Sequence, residues 1–63
     1  MDEDFNMSMR KFLKQVGVTS QKAIEEAMQG QDTAGKTYPV TAVIEIPELG
    51  LRHEITGEIK GEG

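Results

Sequence analysis

The stretch YPVTAVIEIPELGLRHEITGEI, residues 38–59, predicts a β-hairpin and so decides the fold class. Apolar and polar residues alternate on either side of PELG, residues 47–50, with the period of two that is typical of a strand with one apolar face. Pro47 presets φ for a turn and Gly50 accepts a positive φ, so the chain is expected to reverse direction there. The two strands are therefore antiparallel.

The alternation also predicts the register of the two strands, once Ile46 is paired with Leu51. The further pairs are Ile44 with His53 and Ala42 with Ile55 on the apolar face, and Glu45 with Arg52 and Thr41 with Thr56 on the polar face. The two polar pairs stabilise the hairpin by roughly 0.2–1 kcal/mol each. A slip by one residue would turn the apolar face of one strand outward, so the pattern specifies this register.

Two helices are predicted before the hairpin. In FNMSMRKFLKQV, residues 5–16, apolar residues recur at i, i+4, i+7, i+8 and i+11, which is the spacing of one helical face. These residues are Phe5, Met9, Phe12, Leu13 and Val16. Asp4 is the expected N-cap, and Gly17 is expected to stop the helix in a left-handed conformation.

The second helix is predicted over TSQKAIEEAMQ, residues 19–29, with Thr19 or Ser20 as its N-cap and Gly30 at its end. Its inward face consists of Ala23, Ile24, Ala27 and Met28. The linker between the helices is short enough to make them neighbours in space.

Together these elements predict one small α+β domain over residues 1–63, with two N-terminal helices packed on a C-terminal antiparallel β-hairpin in the order ααββ. An isolated hairpin is marginal in water, so the helices are expected to cover its apolar face. Residues 1–4 and 60–63 are expected to fray. Both strands remain sheet edges, and we expect a homodimer in which two copies pair edge to edge.

Composition narrows the class of protein further. The 63 residues allow one domain, and the lack of cysteine excludes disulfides, thiolate metal sites and a cysteine nucleophile. A formal net charge of −4 gives no general attraction to nucleic acid or to anionic lipid. The chain shows no signal peptide and no run of roughly 20 apolar residues, so we expect a soluble, cytoplasmic protein.

The segment GQDTAGKT, residues 30–37, matches the nucleotide-binding pattern G-x-x-x-x-G-K-[ST] at every required position. A phosphate-binding loop needs a strand leading in and a helix leading out, whereas this segment follows a predicted helix and leads into a predicted strand. Pro39 biases Tyr38 away from helical geometry, which leaves no helix N-terminus for the phosphates. We therefore predict a glycine-containing connector, with no nucleotide and no other cofactor bound.

Residues 13–28 resemble a helix-turn-helix, since two short predicted helices surround a glycine-containing turn. Basic residues of the first helix could meet phosphates in such a unit. Glu25 and Glu26 on the second helix would instead be repelled by the DNA backbone. A hairpin also follows where a third, supporting helix is usual.

Every charged residue between Phe5 and Lys22 is positive. These candidate interaction residues, which we call the basic cluster, are Arg10, Lys11, Lys14 and Lys22. The cluster is either a solvated helix face balanced by the acidic N-terminus, or a docking surface for an acidic partner, including the acidic hairpin of another copy.

His53 is the only histidine, and the alternation places it on the apolar face opposite Ile44. We expect it to be partly buried and hydrogen-bonded within the fold. Arg52 and Glu54 flank it in sequence but point to the other side of the pleat, so no acid is positioned to orient it as a general base. We therefore expect no catalytic residue, no metal site and no enzymatic activity.

The segments FNMSMRKFLKQVGVTSQKAIEEA, TYPV and HEITGEI resemble a family of short uncharacterised bacterial proteins that form a domain of unknown function. The resemblance spans nearly the whole chain. It implies a bacterial, cytoplasmic protein, and it implies no activity, cofactor or site residue.

The leading functional hypothesis is a small, non-enzymatic protein-interaction module, whose partner is another protein or a second copy of the chain. It rests on the strand edges, on the basic cluster opposed to an acidic hairpin, and on the lack of a catalytic constellation. The alternative is a nucleic-acid-binding accessory protein that uses the helix-turn-helix-like N-terminal half. A third hypothesis is an NTPase, and no membrane partner is expected.

Overall fold

A computed structural model of the chain describes residues 2–62 and has three main elements. They are helix α1 over Glu3–Met28, strand β1 over Thr37–Ile46 and strand β2 over Leu51–Lys60. The predicted α+β class with an antiparallel hairpin is confirmed. The two predicted helices are wrong, because a single helix of 26 residues takes their place.

The chain forms two compact units. The helix unit contains α1 and extends to Gln31, and the hairpin unit begins at Asp32 and contains β1 and β2. Met1 and Gly63, at the ends of the segments predicted to fray, lie outside the described residues.

Helix α1 is continuous through residues 17–20, where the sequence predicts a break. Gly17 does not have a positive φ, and a glycine in a helix interior costs only about 1 kcal/mol relative to alanine. Thr19 does not cap a second helix, since its Oγ1 donates a hydrogen bond back to the carbonyl oxygen of Gln15 at 2.7 Å. The predicted order ααββ and the predicted cap at Thr19 or Ser20 are therefore wrong.

The ends of α1 show one misplaced cap and one correct stop. The N-cap is Asp2, whose Oδ1 accepts a hydrogen bond from the Phe5 N–H at 2.8 Å. Asp4, the predicted N-cap, instead lies in the first turn, where the helix dipole favours its negative charge. The predicted stop is confirmed, because Met28 is the last helical residue and Gly30 follows with a φ of +75°.

Strands β1 and β2 pair in the predicted register, with Ile46 opposite Leu51. The other predicted pairs are also present: Ile44 with His53, Ala42 with Ile55, Glu45 with Arg52 and Thr41 with Thr56. Between the strands, Pro47–Leu49 form a 3₁₀ turn, and Gly50 follows it with a φ of 65°. The Gly50 N–H donates to the Pro47 carbonyl oxygen at 3.0 Å, which closes the predicted turn.

Most apolar side chains of the hairpin lie on one face, with Val43 on the other, and no apolar side chain is buried anywhere in residues 2–62. The half-buried members of this face are Tyr38, Val40, Ile44 and Ile59. His53 is exposed, and its predicted partial burial depends on cover from the helix. A two-stranded sheet gives each side chain only one directly opposite neighbour and its diagonal neighbours, which is too little cover. The expected packing of helix on this face stays a prediction.

Replacing Gly17 with alanine tests the continuity of α1. We expect the free energy of unfolding to rise by about 1 kcal/mol, because alanine is the better helix former. An added Cβ would meet no atom within 4 Å. Urea denaturation followed by circular dichroism measures the effect. Gly30→Ala is the control and should lose stability, because Gly30 has a φ of +75°. A loss in Gly17→Ala would contradict the continuous helix and support a left-handed break.

Candidate functional site

The basic cluster lies on one element, and all four of its side chains are exposed. A break at Gly17 would have placed Lys22 on a separate helix from the other three. The continuous α1 instead gives Lys22 a fixed angular relation to Lys11 and Lys14. The structure therefore joins the four predicted residues on one rigid element.

The spacing within α1 arranges the cluster along one face. Lys11, Lys14 and Lys22 lie at i, i+3 and i+11, which is one side of a 3.6-residue helix, and Arg10 borders it. Two exposed apolar residues occupy the same side, Met7 at 65% and Val18 at 59% exposure. The sequence prediction missed both residues because they lie outside the apolar periodicity.

No acid of the described chain neutralises this cluster by direct contact. The one ion pair within residues 2–62 joins Arg52 Nη1 to Glu54 Oε1 at 3.1 Å, on the hairpin, and both side chains are about half exposed. Arg52 thus contacts its neighbour on the same strand, although Glu45 stands opposite it in the register. From Phe5 to Ile24 the chain contains no acidic residue, so the positive charge of Arg10, Lys11 and Lys14 is available for an external partner. Lys22 has Glu25 and Glu26 beside it on the helix, at i+3 and i+4.

The other side of α1 is uncharged along nearly its whole length. We call this surface the apolar stripe, and its members are Phe5, Met9, Phe12, Leu13, Val16, Ala23, Ile24 and Ala27. Its first four members are each 44–50% exposed, and Ile24 is half-buried. The interval of seven residues from Val16 to Ala23 is two helical turns, so the two predicted helical patterns were in phase. This common phase of the two apolar patterns is the feature of the sequence that could have predicted a single helix.

The segment GQDTAGKT has the order of elements predicted for a connector, with α1 before it and β1 after it. A phosphate-binding loop requires the reverse order. Within the hairpin unit, the Lys36 N–H donates to the Thr33 carbonyl oxygen at 3.1 Å. Gly35 has a φ of +74° while Ala34 does not have a positive φ, which is the pattern of a type II turn. Gly35 therefore serves the turn geometry.

This turn is tied to the residues that follow β2. The Gly61 N–H donates to the Lys36 carbonyl oxygen at 2.8 Å, and Thr33 Oγ1 donates to the Glu62 carbonyl oxygen at 3.2 Å. We call the four residues Thr33, Lys36, Gly61 and Glu62 the clasp. Thr33 is 5% exposed and is the one buried residue of the described chain. The backbone of Lys36, the lysine of the nucleotide-binding pattern, is thus engaged in closing the open end of the hairpin.

Comparison with known protein families identifies the chain. A model described as a family of unknown function, DUF6494, matches residues 1–62. The chain belongs to the DUF6494 family. This confirms the resemblance to a domain of unknown function, while a bacterial origin stays a prediction. No curated protein and no solved structure matches this DUF6494 chain.

In the described part of the chain, no group of three or more histidine, cysteine, aspartate or glutamate residues is placed to hold a metal ion. No helix within residues 2–62 is both long enough and apolar enough to cross a membrane.

Replacing Gly61 with alanine tests the clasp. An added Cβ would overlap the Thr33 carbonyl and lie 2.7 Å from the Thr33 Cβ. We expect the free energy of unfolding to fall by about 1–3 kcal/mol, as in other overpacked sites. Urea denaturation measures the loss, and hydrogen exchange of the residue 61 amide should become faster.

Gly57→Ala is the matched control for this prediction. Its added Cβ would lie 3.7 Å from Val40 Cγ1, an ordinary contact distance, so no loss of stability is expected. Equal losses in the two variants would show that the hairpin is sensitive to any added methyl group, and the clasp would then have no special role.

Proposed function

We propose that this DUF6494 protein is a non-enzymatic interaction module whose basic cluster docks on an acidic segment of a partner protein. The observation that carries the proposal is the basic cluster itself, exposed on one helix with no acidic residue from Phe5 to Ile24. The predicted bacterial, cytoplasmic setting belongs to the same proposal.

The length of the cluster sets the size of the partner segment. From Arg10 to Lys22 the helix rises about 18 Å, at 1.5 Å per residue. A partner helix of about three turns, or a shorter extended segment, therefore spans all four cations. Exposed ion pairs contribute roughly 0.2–1 kcal/mol each. Four of them support a reversible, salt-sensitive association.

The apolar residues beside the cluster favour a protein as the partner. Met7 and Val18 are 65% and 59% exposed on the same side as Lys11 and Lys14. Methionine adapts its shape to a contacting surface and is enriched at protein interfaces. A partner with apolar side chains between its acids would contact both kinds of residue, whereas a phosphate backbone offers only the charge.

The nucleic-acid alternative loses its structural basis. It requires a helix-turn-helix, and α1 is continuous through residues 17–20. The net charge of −4 also opposes general attraction to a polyanion, so only the local field of the cluster would favour binding.

Polyglutamate is the probe that tests the proposal. We expect fluorescein-labelled polyglutamate to bind at low ionic strength, with an anisotropy change that weakens as salt is added. In the double variant Lys11→Glu/Lys14→Glu the affinity should fall by about tenfold or more, because two attractive contacts become repulsive.

The control reverses two exposed lysines of the hairpin unit, in Lys36→Glu/Lys60→Glu. Both double variants change the net charge equally, so this control isolates the position of the charges. We expect it to retain most of the binding. Equal weakening in the two variants would contradict a defined docking surface. Tighter binding to duplex DNA of matched length than to polyglutamate would favour the nucleic-acid alternative.

A further inference from the structure

The register of the hairpin determines which backbone groups point away from it. The Gly61 N–H donates to the Lys36 carbonyl oxygen at 2.8 Å, and these two residues continue the register beyond the pair of Thr37 and Lys60. Lys36 and Gly61 are therefore a hydrogen-bonded pair, and every second pair along the strands is hydrogen-bonded in the same way. The backbone groups of odd-numbered β1 residues and even-numbered β2 residues consequently point outward.

The two outer edges of the hairpin differ in their donors. Pro39 is one of the outward residues of β1 and has no N–H, so the outer edge of β1 is interrupted. The outer edge of β2 contains no proline. Its outward residues each carry a donor and an acceptor, and they are Arg52, Glu54, Thr56, Glu58 and Lys60. Since the sheet of residues 2–62 has two strands, these groups have no strand partner there.

The free edge of β2 is limited at both ends. The Glu62 carbonyl oxygen already accepts a hydrogen bond from Thr33 Oγ1 at 3.2 Å, within the clasp. At the other end, the Gly50 N–H is used in the turn, where it donates to the Pro47 carbonyl oxygen. The free edge thus runs over residues 52–60 and has the length of one additional strand.

We propose that this edge of β2 pairs antiparallel with the same edge of a second copy, with Ile55 opposite its own counterpart on the twofold axis. Arg52 then lies opposite Glu58 of the second copy, and Glu54 lies opposite Thr56. The contact is isologous, as a closed twofold dimer requires. It joins the two hairpins into one sheet of four strands, whereas a two-stranded hairpin alone is marginal in water.

The charges along the edge support pairing about Ile55. Arg52 faces Glu58 twice by symmetry, and opposite charges across a strand pair are stabilising. A register centred on Thr56 would instead place Arg52 opposite Lys60 and Glu54 opposite Glu58. Each charge would then meet a like charge, which destabilises the pairing.

The apolar residues of β2 support the same axis. In this register Ile55 meets its counterpart and Leu51 meets Ile59, all on the apolar face of the joined sheet. Leu51 and Ile55 are 42% and 46% exposed in the single chain, so both have surface to bury. A register centred on Gly57 also avoids like charges, but it places glycine opposite glycine on the axis, where no side chains pack.

This interface is separate from the proposed docking surface, because the whole basic cluster lies on α1. Variants of β2 that dissociate the dimer should therefore keep their binding to polyglutamate. The dimer and the docking function consequently fail or succeed in different experiments.

Charge reversal tests the register by sedimentation equilibrium. Arg52→Glu and Glu58→Arg should each raise the dimer dissociation constant by about tenfold or more, because both symmetric pairs become like-charged. The two variants change the net charge in opposite directions, so net charge does not explain a loss in both. An equimolar mixture should form a mixed dimer within about threefold of the original constant, since opposite charges then face each other again. Lys60→Glu is the control and should have little effect.

Proline substitution tests the edge itself. Thr41 and Thr56 lie opposite each other in the hairpin, and each has an outward N–H. Thr56→Pro removes a donor from the proposed interface and should raise the dissociation constant by about tenfold or more. Thr41→Pro is the matched control on the outer edge of β1 and should leave the dimer intact. Circular dichroism checks that both variants keep the fold, and the charge variants decide the case if either does not.

Single-cysteine variants locate the axis, because the chain contains no cysteine of its own. Under mild oxidation, Ile55→Cys should form a disulfide-linked dimer. Ala42→Cys is the control, since Ala42 lies opposite Ile55 within the hairpin. Its counterpart would be three strand spacings away, about 14 Å, which is beyond the reach of a disulfide.

Four results would overturn the proposal. A monomer at high micromolar concentration would show that the edge does not bind its own copy. Tighter association of Arg52→Glu would indicate the register centred on Thr56. Failure of the mixed charge variants to associate would contradict the pairing of Arg52 with Glu58. Equal weakening by the two proline variants, or equal linking of the two cysteine variants, would show that the copies associate through another surface.

Discussion

The structure depends on a single constraint, which is that most apolar residues of each unit lie on one face, and neither unit has a second layer of its own to bury that face. Within residues 2–62 the one buried residue is Thr33, a polar residue of the clasp. A helix gains most of its stability in a protein from packing an amphipathic face, and a two-stranded hairpin is marginal alone. The apolar stripe of α1 and the apolar face of β1 and β2 are therefore the surfaces on which stability depends.

The basic cluster and the apolar stripe use the same helix without competing for it. The continuity of α1 is what makes this arrangement available, since a broken helix would not keep the two sides in register over 26 residues.

The nucleotide-binding pattern shows how backbone requirements can imitate a functional motif. In the hairpin unit, Gly35 satisfies a turn that needs a positive φ, and the carbonyl oxygen of Lys36 accepts a hydrogen bond from Gly61. Glycine and short polar residues are common both in turns and in phosphate-binding loops, because both need backbone conformations such as a positive φ. The order of the flanking elements separates the two cases, and that order was readable from periodicity alone.

The sequence by itself determined the hairpin, its register and the four residues of the basic cluster. A period of two and the Pro47–Gly50 turn are local features, and one paired position specifies all the others. Only the tertiary structure decided that α1 passes through Gly17, because glycine is also common at helix ends. In a helix interior, glycine costs only about 1 kcal/mol relative to alanine. The tertiary structure alone also placed Gly61 against Thr33, a contact between residues far apart in sequence that no local pattern encodes.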